Sequence, residues 1–112
     1  TSHSPTGAES LDSIRSPNGR SLDNLGNAYY SLGRYADAID HHRQSLAIKK
    51  EIGDRQGVAN SLGNLGNAYN SLGQYEKAIE YQTRSLAIEE ELGNRKGVAA
   101  SLGNLGNAYN SL

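Results

Sequence analysis

The sequence repeats itself with a period of about 40 residues, and this feature constrains the fold more than any other. Residues 21–60 align with residues 61–100, so that SLDNLGNAYYSLGRYADAI stands opposite SLGNLGNAYNSLGQYEKAI. A third copy, residues 101–112, repeats SLGNLGNAYNSL without a change. Such a period is typical of stacked supersecondary units, each of which buries its apolar face on its neighbours. We therefore expect two complete units and the first helix of a third.

The first part of each unit has the apolar spacing of an α-helix, which we name helix A. In the second unit the apolar residues follow one another at intervals of four or three positions, and residues so spaced lie on one helical face. They are Val58, Leu62, Leu65, Tyr69 and Leu72. Asp54 is suited to cap the start of this helix, and Gly73 is suited to close its end.

The second part of each unit predicts another helix, named helix B, with a wide buried face. Two adjacent stripes run along it, one formed by Tyr75, Ala78, Ile79, Gln82 and Leu86 and the other by Tyr81, Ser85, Ile88 and Leu92. A face of this width lets helix B contact both its own helix A and helix A of the next unit. We predict helices near 21–32, 35–52, 55–72, 75–92 and 95–112.

Residues 1–20 lie outside the repeat and are rich in Ser, Pro, Gly and Asn, which predicts a flexible segment. Within it, Glu9–Arg15 is compatible with a short helix that would cover the first unit. The open alternative is an untethered tail.

Certain letters recur at fixed places in both complete units. They are Leu25-Gly26, Tyr29, Gly33-Arg34-Tyr35 and Ala38 in the first, and Leu65-Gly66, Tyr69, Gly73-Gln74-Tyr75 and Ala78 in the second. This pattern resembles the tetratricopeptide repeat family. The period is longer than the family's usual length of roughly 34 residues and is similar to the long-repeat branch typified by the Pins/LGN polarity adaptors. The resemblance implies an all-α solenoid of antiparallel helix pairs, A1-B1-A2-B2-A3, that binds other proteins.

Asparagine recurs on the face of helix A opposite the apolar stripe. Asn64 and Asn67 are three positions apart and are therefore neighbours on that face. The resemblance places helix A on the concave side, where stacked units would set these amides in rows. Amides offer donors and an acceptor to the main chain of an extended peptide. The predicted peptide-binding residues are Arg20, Asp23, Asn24, Asn27, Tyr30, Asn60, Asn64, Asn67, Asn70, Asn104 and Asn107. The open alternative is a solvated or inter-unit hydrogen-bonded face.

Selectivity for particular peptide side chains is expected from positions that differ between units. Arg20, Asp23 and Tyr30 stand opposite Asn60, Gly63 and Asn70. Gly66 is expected to let helix B approach closely, whereas Gly63 leaves room for a ligand. An acidic ligand is suggested only by Arg20, Arg55, Arg95 and Lys96, so the sequence leaves the charge of the ligand open. The charged runs 49–51 and 89–91 are expected on the solvated convex face of helix B.

Several function classes find no support in the sequence. A net charge of −1 does not favour nucleic acid as a partner, and no apolar run is long enough to predict membrane insertion. The absence of cysteine favours a cytoplasmic location. Adjacent histidines such as His41 and His42 point about 100° apart on a helix, which is unsuited to joint metal ligation. No catalytic set is evident, so we expect neither an enzyme nor a cofactor.

A rival hypothesis is a structural segment that associates mainly with further copies of itself. The apolar stripe of the third helix A consists of Leu102, Leu105, Tyr109 and Leu112, and the sequence shows no second helix to cover it. Exposed apolar faces invite a partner. A homo-oligomer formed through exposed repeat ends is therefore also expected.

Overall fold

The computed structural model describes residues 19–112, and this part of the chain forms five helices without a strand. They are α1 (Gly19–Ser31), α2 (Tyr35–Ile52), α3 (Arg55–Ser71), α4 (Tyr75–Leu92) and α5 (Arg95–Ser111). Their ends fall within two positions of the predicted ones, and the predicted all-α solenoid of helix pairs is confirmed. The short helix considered for Glu9–Arg15 lies outside the described residues.

Short turns separate the helices, and the predicted residues stand at the helix ends and starts. Gly93 ends α4 in the left-handed conformation, with φ 70°, and Gly73 adopts φ 81° just after α3. The side chains of Asp54 and Asn94 each accept the backbone N–H three positions later, at 2.9 and 3.2 Å. These bonds satisfy donors that a helix start otherwise leaves unpaired.

Each helix packs on the next along the chain, and α3 lies between α2 and α4. The apolar stripe of α3 is buried from Val58 to Tyr69, as predicted. Tyr69 stacks on Tyr81 of α4 with ring centroids 5.3 Å apart. Leu72 departs from the prediction because it lies beyond the last turn of α3 and is exposed. The core is therefore centred on α3, in a stack that measures 59 × 32 × 19 Å.

Two charged residues occupy positions that the sequence did not predict. Lys49 and Glu89, the first residues of the runs expected on the convex face, are both buried. Each side chain reaches over a glycine at the start of the next helix, Gly57 or Gly97, where a Cβ atom would overlap it. The prediction of a solvated face is wrong for these two residues because the following helix A leaves space for them.

The first turn of α5 and Leu105 are partly covered, but the rest of the apolar stripe of α5 is exposed. Leu102, Tyr109 and Leu112 are exposed, whereas Ala108 is buried. Within residues 19–112, no helix is both long enough and apolar enough to cross a membrane.

Candidate functional site

A groove with a volume of about 390 Å³ runs across the three helices A, which are α1, α3 and α5, and over α4, the helix B of the second unit. We name it the asparagine groove. It is lined by Asp23 and Asn27 of α1, Ala59, Asn60, Gly63, Asn64 and Asn67 of α3, Gln82, Ser85 and Glu89 of α4, and Gly97, Ala100, Ser101 and Asn104 of α5. The structure therefore brings together six of the predicted site residues, namely Asp23, Asn27, Asn60, Asn64, Asn67 and Asn104.

Three predicted site residues lie elsewhere on the surface. Arg20 lines a neighbouring cavity of about 550 Å³ on the α1 side, together with Lys49. Asn24 and Asn107 are exposed but do not line the asparagine groove. A peptide longer than the groove could reach them, and their assignment to the site stays a prediction.

Tyr30 and Asn70 lie near the ends of α1 and α3, away from the groove. The Tyr30 hydroxyl is hydrogen-bonded to Ser71 Oγ at 2.8 Å, and its ring meets the edge of the Tyr35 ring at 5.0 Å. Asn70 is half-buried, and its Oδ1 has no hydrogen-bond partner in the part of the chain that the structure describes. Tyr30 therefore already has contacts within the chain, which lowers its freedom to select a ligand.

The asparagines of the groove fall into two groups. Asn60 Oδ1 accepts from Gln56 Nε2, and Asn67 Oδ1 accepts from Gln82 Nε2, each at 3.1 Å. Asn27, Asn64 and Asn104, by contrast, make no side-chain hydrogen bond to any of residues 19–112; Asn27 is exposed and the other two are partly exposed. The amides of the second group are free to bind a ligand, while those of the first are held in place.

Gln82 forms the floor of the groove and is only 1% exposed. Its Nε2 donates to the backbone oxygen of Gly63 at 2.9 Å, in addition to Asn67. The side chain fits there because Gly66 has none, which confirms the predicted close approach of helix B: a Cβ at Gly66 would lie 2.5 Å from Gln82 Nε2. Gln82 Oε1 remains buried without a partner among the described residues.

Asp23, predicted as a residue that selects the ligand, is engaged inside the chain. His42 Nδ1 donates to Asp23 Oδ1 at 2.9 Å, and Lys49 forms an ion pair with Oδ2. Burial raises the pKa of this carboxyl, but the hydrogen bonds from His42 and Lys49 and the charge of Lys49 outweigh it, so its pKa lies below the ordinary value. Asp23 therefore lies at the edge of the groove as an ionised carboxylate whose charge is compensated by Lys49.

Glu89 is a groove residue that the sequence analysis missed. Gln56 Nε2 donates to its two carboxylate oxygens at 3.1 and 3.2 Å, and Asn94 Nδ2 donates at 3.0 Å. No lysine or arginine within residues 19–112 forms an ion pair with it. The signal that could have revealed this position is Gly97, whose missing side chain admits the carboxylate.

The described residues contain no group of three or more His, Asp and Glu side chains that could hold a metal ion. The groove is rich in amides and hydroxyls instead. Such groups form hydrogen bonds with a polar ligand and do not themselves supply a nucleophile with an aligned base.

Comparison with known proteins gives a match over nearly the whole described chain. A family model described as tetratricopeptide repeat matches residues 57–112, which contain most of α3 and all of α4 and α5. A second model with the same description matches residues 19–52, the span of α1 and α2. No enzyme family is indicated. No curated protein matches the chain.

Proposed function

Because this chain belongs to the tetratricopeptide repeat family, we propose that it binds an extended peptide segment of another protein in the asparagine groove. Repeats of this family generally mediate protein–protein interaction and are generally non-catalytic scaffolds. The observation that carries the finer proposal is the pair of free amides, Asn64 and Asn104, on neighbouring helices A.

The chemistry of these amides suits a peptide main chain. An extended peptide presents one N–H donor and one carbonyl acceptor per residue, and a primary amide offers both complementary functions. Asn64 and Asn104 would each exchange hydrogen bonds with successive peptide units. Affinity obtained in this way makes little demand on the peptide's side chains.

Internal hydrogen bonds support binding by fixing part of the groove in advance. Gln56 holds Asn60 and Gln82 holds Asn67, and each of these amides keeps its own N–H groups for a ligand. Side chains that are already ordered lose less conformational entropy when a ligand binds. The groove thus combines two fixed amides with three that can adapt.

The location of binding tests this proposal. Peptides would be selected from a displayed random library on the full chain, and one selected peptide would be titrated into isotopically labelled protein. We expect the largest NMR shifts at Asn64 and Asn104 and small shifts at the outer face of α5, represented by Leu102. Shifts confined to that outer face would contradict the proposal.

The proposal includes two further assignments, the branch of the family and the location of the protein in the cell. Helices α2 and α4 begin at equivalent positions of the two units, Tyr35 and Tyr75, and this spacing supports a place in the long-repeat branch typified by the Pins/LGN polarity adaptors. A cytoplasmic location accords with a chain of 112 residues that has no cysteine.

The second candidate function is association with another copy of this chain, and the exposed stripe of α5 favours it. Residues 101–112 are identical to residues 61–72, whose helix α3 packs on α4. That surface of α4 is covered by α3 in every copy, so the stripe of α5 would instead pack on the same stripe of a second copy. Leu102 and Tyr109 would be buried by that contact.

A further inference from the structure

The two complete units differ at one contact between their helix A and their helix B. Three pairs of equivalent positions, each separated by one full repeat, differ at this contact: Asp23 and Gly63, His42 and Gln82, and Lys49 and Glu89. In the first unit, the Asp23 carboxylate takes up the donors of both His42 and Lys49. The first unit therefore contains both an anion and its cation, and the Asp23 side chain fills the space between helix A and helix B.

In the second unit the same place is open. A Cβ atom at Gly63 would meet only Ser85 Oγ at 3.7 Å and Gln82 Oε1 at 3.8 Å, which are ordinary contact distances. Apart from its chain neighbours, no side chain of α3 lies within 4 Å of this Cβ position, which in the first unit is the start of the Asp23 side chain. The space belongs to the asparagine groove, which Gly63 lines.

The groups around this space are hydrogen-bond acceptors. Gln82 Oε1 is buried, has no partner among residues 19–112, and lies next to the missing side chain of Gly63. Glu89 carries a carboxylate whose partners, Gln56 and Asn94, are neutral amides. A buried acceptor without a donor costs free energy, and a buried carboxylate is best compensated by a cation. The space therefore lacks a positively charged donor.

The charged side chains that line the groove also indicate a cationic ligand. The only charged side chains that line it are Asp23 and Glu89, and no lysine or arginine of the described chain does so. Asp23 is already paired with Lys49. Glu89 thus supplies the one carboxylate of the groove that is not matched by a cation of residues 19–112.

We propose that the space at Gly63 receives a lysine or arginine side chain of the bound peptide, whose cationic group pairs with Glu89 and donates to Gln82 Oε1. This inference rests on the proposed function and adds the chemical class of the ligand, a peptide with a basic residue. The arrangement repeats the ion pair of the first unit with the charges exchanged: the chain supplies the anion and the ligand supplies the cation.

The test compares peptide selection on the wild-type chain and on Glu89→Gln, a substitution that keeps the size of the side chain and removes its charge. From a displayed library of random peptides, we expect the wild-type chain to enrich lysine or arginine at one peptide position. The Glu89→Gln variant should enrich no basic residue there. A selected basic peptide should bind the variant about tenfold more weakly, since a charge-assisted hydrogen bond becomes a neutral one.

A second measurement tests whether the basic residue of the peptide contacts Glu89 itself. The same peptide with glutamine at the basic position should bind the wild-type chain more weakly, and Glu89→Gln should not weaken that peptide further. The double variant Gly63→Asp/Glu89→Lys copies Asp23 and Lys49 of the first unit. It should fold, as judged by circular dichroism, and should close the space so that the basic preference is lost.

The outcomes distinguish this inference from the proposed function. Enriched peptides that carry no basic preference, or a basic preference that survives both the single and the double variant, would overturn the inference and leave peptide binding standing. A wild-type chain that enriches no peptide at all would overturn both.

Discussion

The Gln82 side chain lies directly over Gly66, and the space it occupies exists only because Gly66 has no Cβ. In the first unit, His42 lies over Gly26 in the same way, with its Nε2 atom 2.6 Å from the position of a Cβ. Glycine inside a helix costs about 1 kcal/mol relative to alanine. The repeated glycine is explained by this close approach of helix B.

Gly66→Ala should therefore destabilise the chain. The new methyl group would overlap the buried Gln82 side chain, and overpacking outweighs the gain in helix propensity, so we expect a loss of about 1 to 2 kcal/mol. Urea denaturation measures it. The matched control is Gly106→Ala, where nothing lies within 4 Å of a Cβ and a gain of up to about 1 kcal/mol is expected. Equal effects of the two substitutions would contradict the account.

Leu65 and Leu25 stand at equivalent positions but differ in burial. Leu65 is 0% exposed and Leu25 is 44% exposed. Leu65→Ala removes a fully enclosed side chain of the core and should cost about 2 to 5 kcal/mol of unfolding free energy. Leu25→Ala should cost less than about 1 kcal/mol, since much of that side chain already contacts water. Thermal denaturation of the two variants tests the contrast, and similar melting temperatures would show that α3 is not the centre of the core.

The Asp23 ion pair predicts a loss of stability in acid. The folded state holds the pKa of Asp23 below its ordinary value, so its contribution is complete above that value and disappears as the pH falls through the lowered pKa. As the pH falls below about 4, the wild-type chain should lose more stability than Asp23→Asn, which cannot titrate at this position. Urea denaturation across this range measures both.

At neutral pH, Asp23→Asn should itself cost about 3 kcal/mol, because it leaves Lys49 buried without its counter-ion. Asp40→Asn is the control, since that carboxyl is exposed and should change stability by less than about 0.5 kcal/mol. Stability curves for wild type and Asp23→Asn that run parallel in acid would show that the ion pair contributes nothing.

The exposed stripe of α5 predicts self-association at high protein concentration. Light scattering coupled to size exclusion should show a mass that rises with concentration. Leu102→Glu should suppress this rise by placing a charge in the contact. Leu32→Glu, at another exposed leucine, should leave the association unchanged. A monomer at every concentration, or an equal effect of both substitutions, would contradict contact through α5.

The helices could be predicted from the sequence because their determinants are local. Asp54 caps the residues that follow it, Gly73 and Gly93 sit where a left-handed residue is needed, and the stripe from Val58 to Tyr69 has a helical period. The repeat then supplied the architecture, since each unit can bury its apolar face only on its neighbours.

The interior of the groove could not be predicted in the same way, because its contacts join residues far apart in the sequence. Asp23 meets Lys49 across 26 positions, and Glu89 meets Gln56 across 33. Runs of charge usually mark a solvated face, and Lys49 and Glu89 are exceptions only because a glycine of the following helix lies beneath each one. The asparagine rows were visible in the repeat, but their hydrogen bonds were not.

Isothermal titration with one selected peptide measures whether the free amides of Asn64 and Asn104 bind the main chain of a peptide. Each amide should contribute about 1 kcal/mol or more, so Asn64→Ala with Asn104→Ala should weaken binding by about tenfold to a hundredfold. Asn110→Ala, an exposed asparagine outside the groove, is the control and should leave the affinity unchanged. An affinity that is the same for wild type and for the double variant, with both folded, would contradict the claim.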